Sequence, residues 1–230
     1  MRTLAIVAAL AASALACRSA PKGPGEQVPT VADADLGRLS PDEMGPVQRA
    51  RAALDETRDA VARARLRLQD SRHEQEWANA EKASAEGDRL RAAAELSSAK
   101  EAGDQRLFGL ASERVAAAEL RTQAAAARLE YAGKLAQARD AEVRTAEAKV
   151  RRAQWEVERA KLAALGKAGL PAASKYDPAP IERRIAEATR AEEGARARSR
   201  DLGASARVAY DKWRSLSDRY EARARSIPTG

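Results

Sequence analysis

The stretch that decides the fold runs from Phe108 to Ala164: FGLASERVAAAELRTQAAAARLEYAGKLAQARDAEVRTAEAKVRRAQWEVERAKLAA. Counting in sevens from its first residue gives Phe108, Val115, Thr122, Leu129, Ala136, Val143, Val150, Val157 and Ala164. Three residues further on lie Ala111, Ala118, Ala125, Ala132, Arg139, Ala146, Ala153 and Ala160. Residues three and seven apart share one face of a helix, and a strict seven-residue repeat imposes a left-handed supercoil. Larger apolar side chains mostly occupy one seam position and alanine occupies the other, interrupted at Arg139.

The same pattern lies on either side. In the preceding segment the larger series is Val47, Leu54, Val61 and Leu68, accompanied by Ala50, Thr57, Ala64, Ser71, Ala78, Ala85, Ala92 and Ala99. Gln75, Lys82 and Arg89 then fall on the larger series, so the seam is expected to weaken until Leu96 restores it. In the last segment the seam reads Ile185, Ala188, Ala195, Leu202, Ala206, Ala209, Trp213, Leu216 and Tyr220, diluted by Glu192 and Ser199.

Punctuation divides the helices. Gly103-Asp104 is either a turn or the interior of one very long helix. Gly166 to Tyr176 is a clear interruption containing Pro171, and Asp177-Pro178 restarts a helix with Asp as N-cap and Pro in the first turn. Ser40-Pro41-Asp42-Glu43 reads as a capping box, but Gly45-Pro46 follows at once, so the sustained helix is expected from Pro46. The expected spans are 46–101, 104–166 and 178–225. With 44% apolar residues, many of them alanine, only 3% aromatic and 33% charged residues, no thick core is available. Runs of alternating β-branched residues are absent, which disfavours strands. The expected fold is all-α: an elongated antiparallel coiled-coil hairpin or three-helix bundle of long Ala-rich helices, spanning residues 46–228. How the third helix packs, on its own hairpin or on another copy, stays open at this point.

The N-terminus speaks to location. Met1-Arg2 is followed by an uncharged apolar run, Leu4 to Ala16. A bilayer core needs roughly 20 apolar residues, so this run is too short to span it and has the size of a secretory h-region. Cys17, the only cysteine in the chain, ends it. Ala14-Leu15-Ala16-Cys17 resembles the lipobox of bacterial lipoproteins, with the leucine one place nearer the cysteine than in the commonest version. The resemblance implies a signal peptide over 1–16 and a Cys17 that becomes the acylated mature N-terminus. It also implies, with Arg18 in place of the aspartate that retains such proteins in the inner membrane, an outer-membrane anchor facing the periplasm. Several acyl chains together give stable anchoring. The Pro/Gly-rich residues 17–45 read as a lipidated, disordered tether. A lone cysteine allows no internal disulfide.

Composition and motifs argue against catalysis. His73 is the only histidine, and beside Arg72, Glu74 and Glu76 it belongs on a solvated helical face rather than in an acid–base or metal site. Carboxylates interleave with arginine, as in Glu147/Arg151 and Glu156/Arg159, a spacing that steadies exposed helices. No Gly-rich phosphate loop follows a strand. No enzyme activity, cofactor or metal is expected. The net charge is +7, or +6 without Arg2, with clusters at Arg63/Arg65/Arg67 and Arg196/Arg198/Arg200. Few aromatics accompany them, so nucleic acid is not expected. Anionic envelope components suit the charge better, and the repeat also suits self-association. Trp77, Trp155 and Tyr131 fall outside the seams, where they either cover the third helix or contact another protein.

The expected role is a structural scaffold, spacer or docking protein of the cell envelope. The long basic helices are also similar in outline to Skp-type periplasmic chaperones, without a strand-rich body, and to the hairpins of trans-envelope efflux adaptors, without their β-rich domains. Braun-lipoprotein-type attachment to peptidoglycan is disfavoured by the ending Ser-Ile-Pro-Thr-Gly, which lacks a terminal lysine, and no OmpA-like domain is visible.

Overall fold

The computed structural model describes residues 30–228. Of these, 91% are helical and none is in a strand. The elements are α1 (Asp33–Leu36), α2 (Pro41–Glu101), α3 (Gln105–Lys167), a short 3-10 segment (Pro171–Lys175) and α4 (Pro178–Ser226). At 1.5 Å per residue, α2 and α3 are each roughly 90–95 Å long.

Local chemistry sets the main boundaries of the long helices. Ser40 caps α2: its hydroxyl accepts from the Glu43 N–H, and the Glu43 carboxylate accepts from the Ser40 N–H at 2.8 Å. The reciprocal pair starts the helix at Pro41, five residues before the expected start at Pro46. Pro46 is carried inside α2, where it removes only one bond of the first turns. At the other end Gly103 takes φ +69°, a left-handed conformation that ends a helix without side-chain strain. Asp104 then caps α3 by accepting from the N–H groups of Arg106 and Leu107. Residues 102–104 are therefore a turn, not helix interior. Gly169 (φ +64°) ends α3, with the Leu170 N–H reaching back to the Leu165 carbonyl at 3.1 Å. Asp177 caps α4 through the Ala179 N–H.

The central helix is α3. Antiparallel α2 lies along one flank: Leu54 meets Ala153 and Val157, Val61 and Ala64 meet Val143 and Ala146, and Arg114 reaches Glu95 near the turn. Antiparallel α4 lies along another: Arg152 pairs with Glu192, Tyr131 stacks on Trp213, and Arg223 reaches Glu113. The third helix thus packs on its own hairpin, through α3. Because α4 ends near Ala117 and Arg121, the α2–α3 hairpin continues past it as a two-helix tip.

Burial follows the heptads. On α2 the buried residues are Val47, Leu54, Val61, Ala64, Ser71, Ala78, Ala85, Ala92 and Ala99. The register passes from the larger series to the alanine series at Val61/Ala64. Where Gln75, Lys82 and Arg89 fall, alanine keeps the contact, and Leu96 is only half-buried. Phe108, placed first in the α3 seam, is 41% exposed at the tip. Glu192, expected to dilute the α4 seam, is buried between Arg152 (2.9 Å) and Arg196 (2.6 Å).

Two sequence expectations are corrected. Residues 30–45 are not a disordered tether: they form α1 and the start of α2, and Val31 and Leu36 bury against Leu165. A segment without heptad periodicity folds here because it packs on a helix end instead of in a seam. Residues 17–29 lie outside the described residues. The anticipated intrahelical pairs Glu147/Arg151 and Glu156/Arg159 are not those that form. Glu147 pairs across to Arg65 of α2, Glu156 with Arg152, and Arg159 with Glu182 of α4. The ion pairs thereby link helices as well as turns.

Candidate functional site

The end of the rod where α3 gives way to α4 gathers a dense set of hydrogen bonds and ion pairs. The extended residues 30–32 and α1 are laid across it as a strap. The Val31 N–H donates to Glu158 Oε2 at 2.7 Å, and Lys161 Nζ donates to the Val31 carbonyl at 3.3 Å. Lys161, only 8% exposed, also pairs with Asp33 (2.9 Å) and Glu158 (3.0 Å). The Tyr176 hydroxyl donates to Asp35 at 2.7 Å and accepts from the Ala32 N–H at 3.1 Å, while Lys175 donates to Asp35 at 3.2 Å. Arg51 of α2 adds a second contact to Asp33.

Electrostatics follow from these bonds. The hydrogen bond from Lys161 holds the Asp33 carboxyl below its ordinary value, and the bond from Tyr176 does the same for Asp35. Burial alone would lower the Lys161 ammonium, but its hydrogen bonds to Asp33 and Glu158 outweigh that and raise it. Lys161 is therefore charged in its buried place, with every neighbour arranged to accept from it. The site is a clamp on the chain. Each of its carboxylates is bonded to a cation or a hydroxyl.

The residues singled out from the sequence are scattered along the molecule. Cys17 lies outside the described residues. Tyr131 sits at the α3–α4 contact, stacked on Trp213 with ring centroids 5.7 Å apart and edge-on to Tyr210 at 5.3 Å. The Arg128 guanidinium lies 5.6 Å from the centre of the Trp213 ring and reaches Glu74 and Glu81 on α2, tying three helices together. Burial raises the Tyr131 phenol above its usual value. Tyr131 is thus cover for the third helix, the first of the two roles open to it. Trp155 is half-buried on the same helix. Trp77 is 71% exposed on α2, and the structure does not bring it near the other two. His73 is exposed and 3.4 Å from Glu76, on a solvated face as expected. Among the described residues no group of His, Cys, Asp and Glu could hold a metal ion, and no helix is long and apolar enough to cross a membrane.

Sequence reading missed the strap altogether. Its signal was faint: Val31 and Leu36 are two of a few scattered apolar residues in a polar, Pro/Gly-rich stretch, and nothing local says that their partner is Leu165. No family model, no curated protein and no solved structure matches this chain.

Proposed function

We propose that the chain is a lipoprotein of the bacterial outer membrane, anchored through acyl chains on Cys17 and facing the periplasm, where its helical rod acts as a spacer and scaffold of the envelope. The lipobox-like Ala14-Leu15-Ala16-Cys17 supports the anchor. The observation that carries the reading is the strap. It fixes the N-terminal end of the described chain to the α3–α4 end of the rod, the end opposite the α2–α3 turn. From Cys17 to Val31 the chain can reach at most about 50 Å even when fully extended. An anchor at Cys17 therefore tethers the strapped end near the bilayer, and the hairpin tip projects roughly 90 Å along the helix axis. A spacer needs that polarity, with the anchor at one end and a free tip at the other.

The reading assigns no catalytic step, cofactor or metal. Its partners are the membrane, through the acyl chains, and envelope components contacted along the rod or at the tip. Cys17→Ser should release the protein from membranes or block its processing; normal cleavage with undiminished membrane retention would overturn the anchor. Cross-linking in cells from positions near the turn, such as Gln105, should capture a small reproducible set of envelope partners, and positions in the strapped end should not capture the same set.

A second reading, a holdase chaperone, draws on the exposed apolar side chains around the tip: Leu90 (62%), Leu107 (50%) and Phe108 (41%). A holdase should suppress aggregation of an unfolded outer-membrane protein in vitro. A scaffold should leave aggregation unchanged.

A further inference from the structure

Midway along the rod, where α2 and α4 both approach the same side of α3, a cleft of about 420 Å³ opens. Each helix contributes one arginine to its wall: Arg72 from α2, Arg144 from α3 and Arg198 from α4. The cleft's carboxylate is Asp140, and it is taken by Arg144 at 2.8 Å. Arg72 and Arg198 have no ion-pair partner among the described residues. The groove nearer the tip also gathers three, Arg91, Arg114 and Arg121, and there each is paired with Asp88 or Glu95. The mid-rod cleft, by contrast, keeps two net positive charges. Its remaining polar wall is amide: Gln75 and Gln137. The floor is low because α3 carries Gly133 there, and a methyl group at that glycine would already touch the Gln75 amide at 3.7 Å.

We propose that this cleft binds a soluble phosphate monoester on a hydroxylated carrier, of the sugar-phosphate class. Guanidinium groups match phosphate geometry in bidentate fashion and stay charged at every accessible pH. A phosphate monoester carries close to two negative charges at neutral pH, which matches the uncompensated charge of the cleft. The two amides supply donors and acceptors for hydroxyl groups. The volume lies in the range of small-molecule sites. The site also stands roughly 40 Å along α3 from the strapped end. An upright rod would not bring it to the headgroups of its own membrane, so a soluble source fits better than a lipid. That last argument alone rests on the proposed anchor; the charge and shape arguments stand without it.

The test is calorimetric titration of the purified full-length chain with glucose 1-phosphate at low ionic strength, with glucose as the uncharged control. The expected result is one saturable site per chain for glucose 1-phosphate and none for glucose. R72Q/R198Q should weaken binding about tenfold or more, because two charge-assisted contacts are lost. The double variant R63Q/R219Q removes the same charge from exposed positions outside the cleft and should change affinity less than twofold. Both pairs are exposed and unpaired, so circular dichroism should report unchanged helix content. No saturable binding, or an equal loss in both double variants, overturns the proposal. In a second arm, vesicles of phosphatidylcholine with phosphatidic acid are offered. Recruitment that needs Arg72 and Arg198 while glucose 1-phosphate fails to bind would place the phosphate on a lipid and overturn the soluble source.

Discussion

The two halves of the rod are built from the same helices but are held by different means. At the strapped end lie the four largest fully buried side chains, Leu165, Ile181, Val31 and Val47, contributed by α3, α4, the strap and α2 respectively. Along the shaft the residues wholly closed to solvent are alanines, Ala78, Ala85 and Ala132. Burying a Leu or Ile side chain contributes roughly 1.5–3 kcal/mol, and each methyl-sized increment only about 0.8. The shaft therefore gains its stability thinly, by close approach and helix propensity, and the strapped end gains it in one place. Stability graded along a structure means local opening starts at the weak end. The rod should fray from the α2–α3 tip toward the strap.

Removing the plug tests this contrast most severely. Leu165→Ala should cost about 2–5 kcal/mol, the range for emptying a fully buried leucine site. Denaturant unfolding followed by circular dichroism should show the drop. The half-buried Leu96, truncated in the same way near the tip, should cost clearly less. Equal losses at the two sites would erase the distinction between plug and shaft.

The shaft has the opposite sensitivity. Enlarging Ala132 to leucine forces a side chain into a contact with no spare room, and should cost about 1–3 kcal/mol. If Ala132→Leu were neutral or stabilising, the shaft would be loosely packed rather than closely zipped, and thermal melts of the variant would reveal it directly. At Leu165 the danger is a hole, and at Ala132 it is a surplus methyl group.

Next in size is the cap where strap and shaft join. Ser40→Ala removes one half of the reciprocal pair with Glu43 and should cost about 1 kcal/mol. Hydrogen exchange should quicken over residues 41–46 and remain unchanged near the turn. Faster exchange throughout α2 would instead mean that the helix opens as a single unit.

These regions differed as much in legibility as in packing. The α2 seam could be read residue by residue, because alanine every seventh position has a single geometric consequence. On α3 only one face could be read. Its second face, the row Ala117, Ala124, Tyr131 and Ala138, also repeats every seven residues, and it faces α4 at Tyr210 and Ala206. In a helix so rich in alanine a second seam is camouflaged by the first, and Tyr131, placed outside the seams, was its marker. The strap was illegible for a different reason. Its contacts bridge more than 120 residues, from Val31 to Glu158 and from Asp35 to Tyr176, and no periodicity encodes them. Buried Glu192 was likewise hidden, because a carboxylate in a seam looks like a fault until Arg152 and Arg196 are placed around it. The charge balance of the mid-rod cleft was invisible for the same reason, since its three arginines come from three helices.

The smallest effect is the most selective, since pH should separate the two regions. Hydrogen bonds from Lys161, Tyr176 and Ser40 hold Asp33, Asp35 and Glu43 below their ordinary values, and all three carboxylates lie in the strap or at its junction with α2. In the shaft, Glu130, lowered by Lys212, is the corresponding case among the described residues. A group whose folded value is depressed contributes stability that is present above the unfolded value and is lost as pH falls through the folded one. Ordinary carboxylates titrate near pH 4, so the strap should begin to loosen below about pH 4 and be secure at neutral pH. Asp33 keeps 69% of its side chain exposed, against 20% for Asp35, so the change should be local and modest and weighted toward Asp35. Hydrogen exchange over residues 31–36, corrected for the intrinsic pH dependence, should rise between pH 5 and pH 3 relative to the alanine rows of α2 and α3. In the double variant Asp33→Asn/Asp35→Asn the strap should exchange quickly at both pH values, because the groups that titrate are gone. A strap that exchanges no faster at pH 3 would mean that Val31 and Leu36 hold it by burial against Leu165 alone, and that the ion pairs around Lys161 only steer it into place.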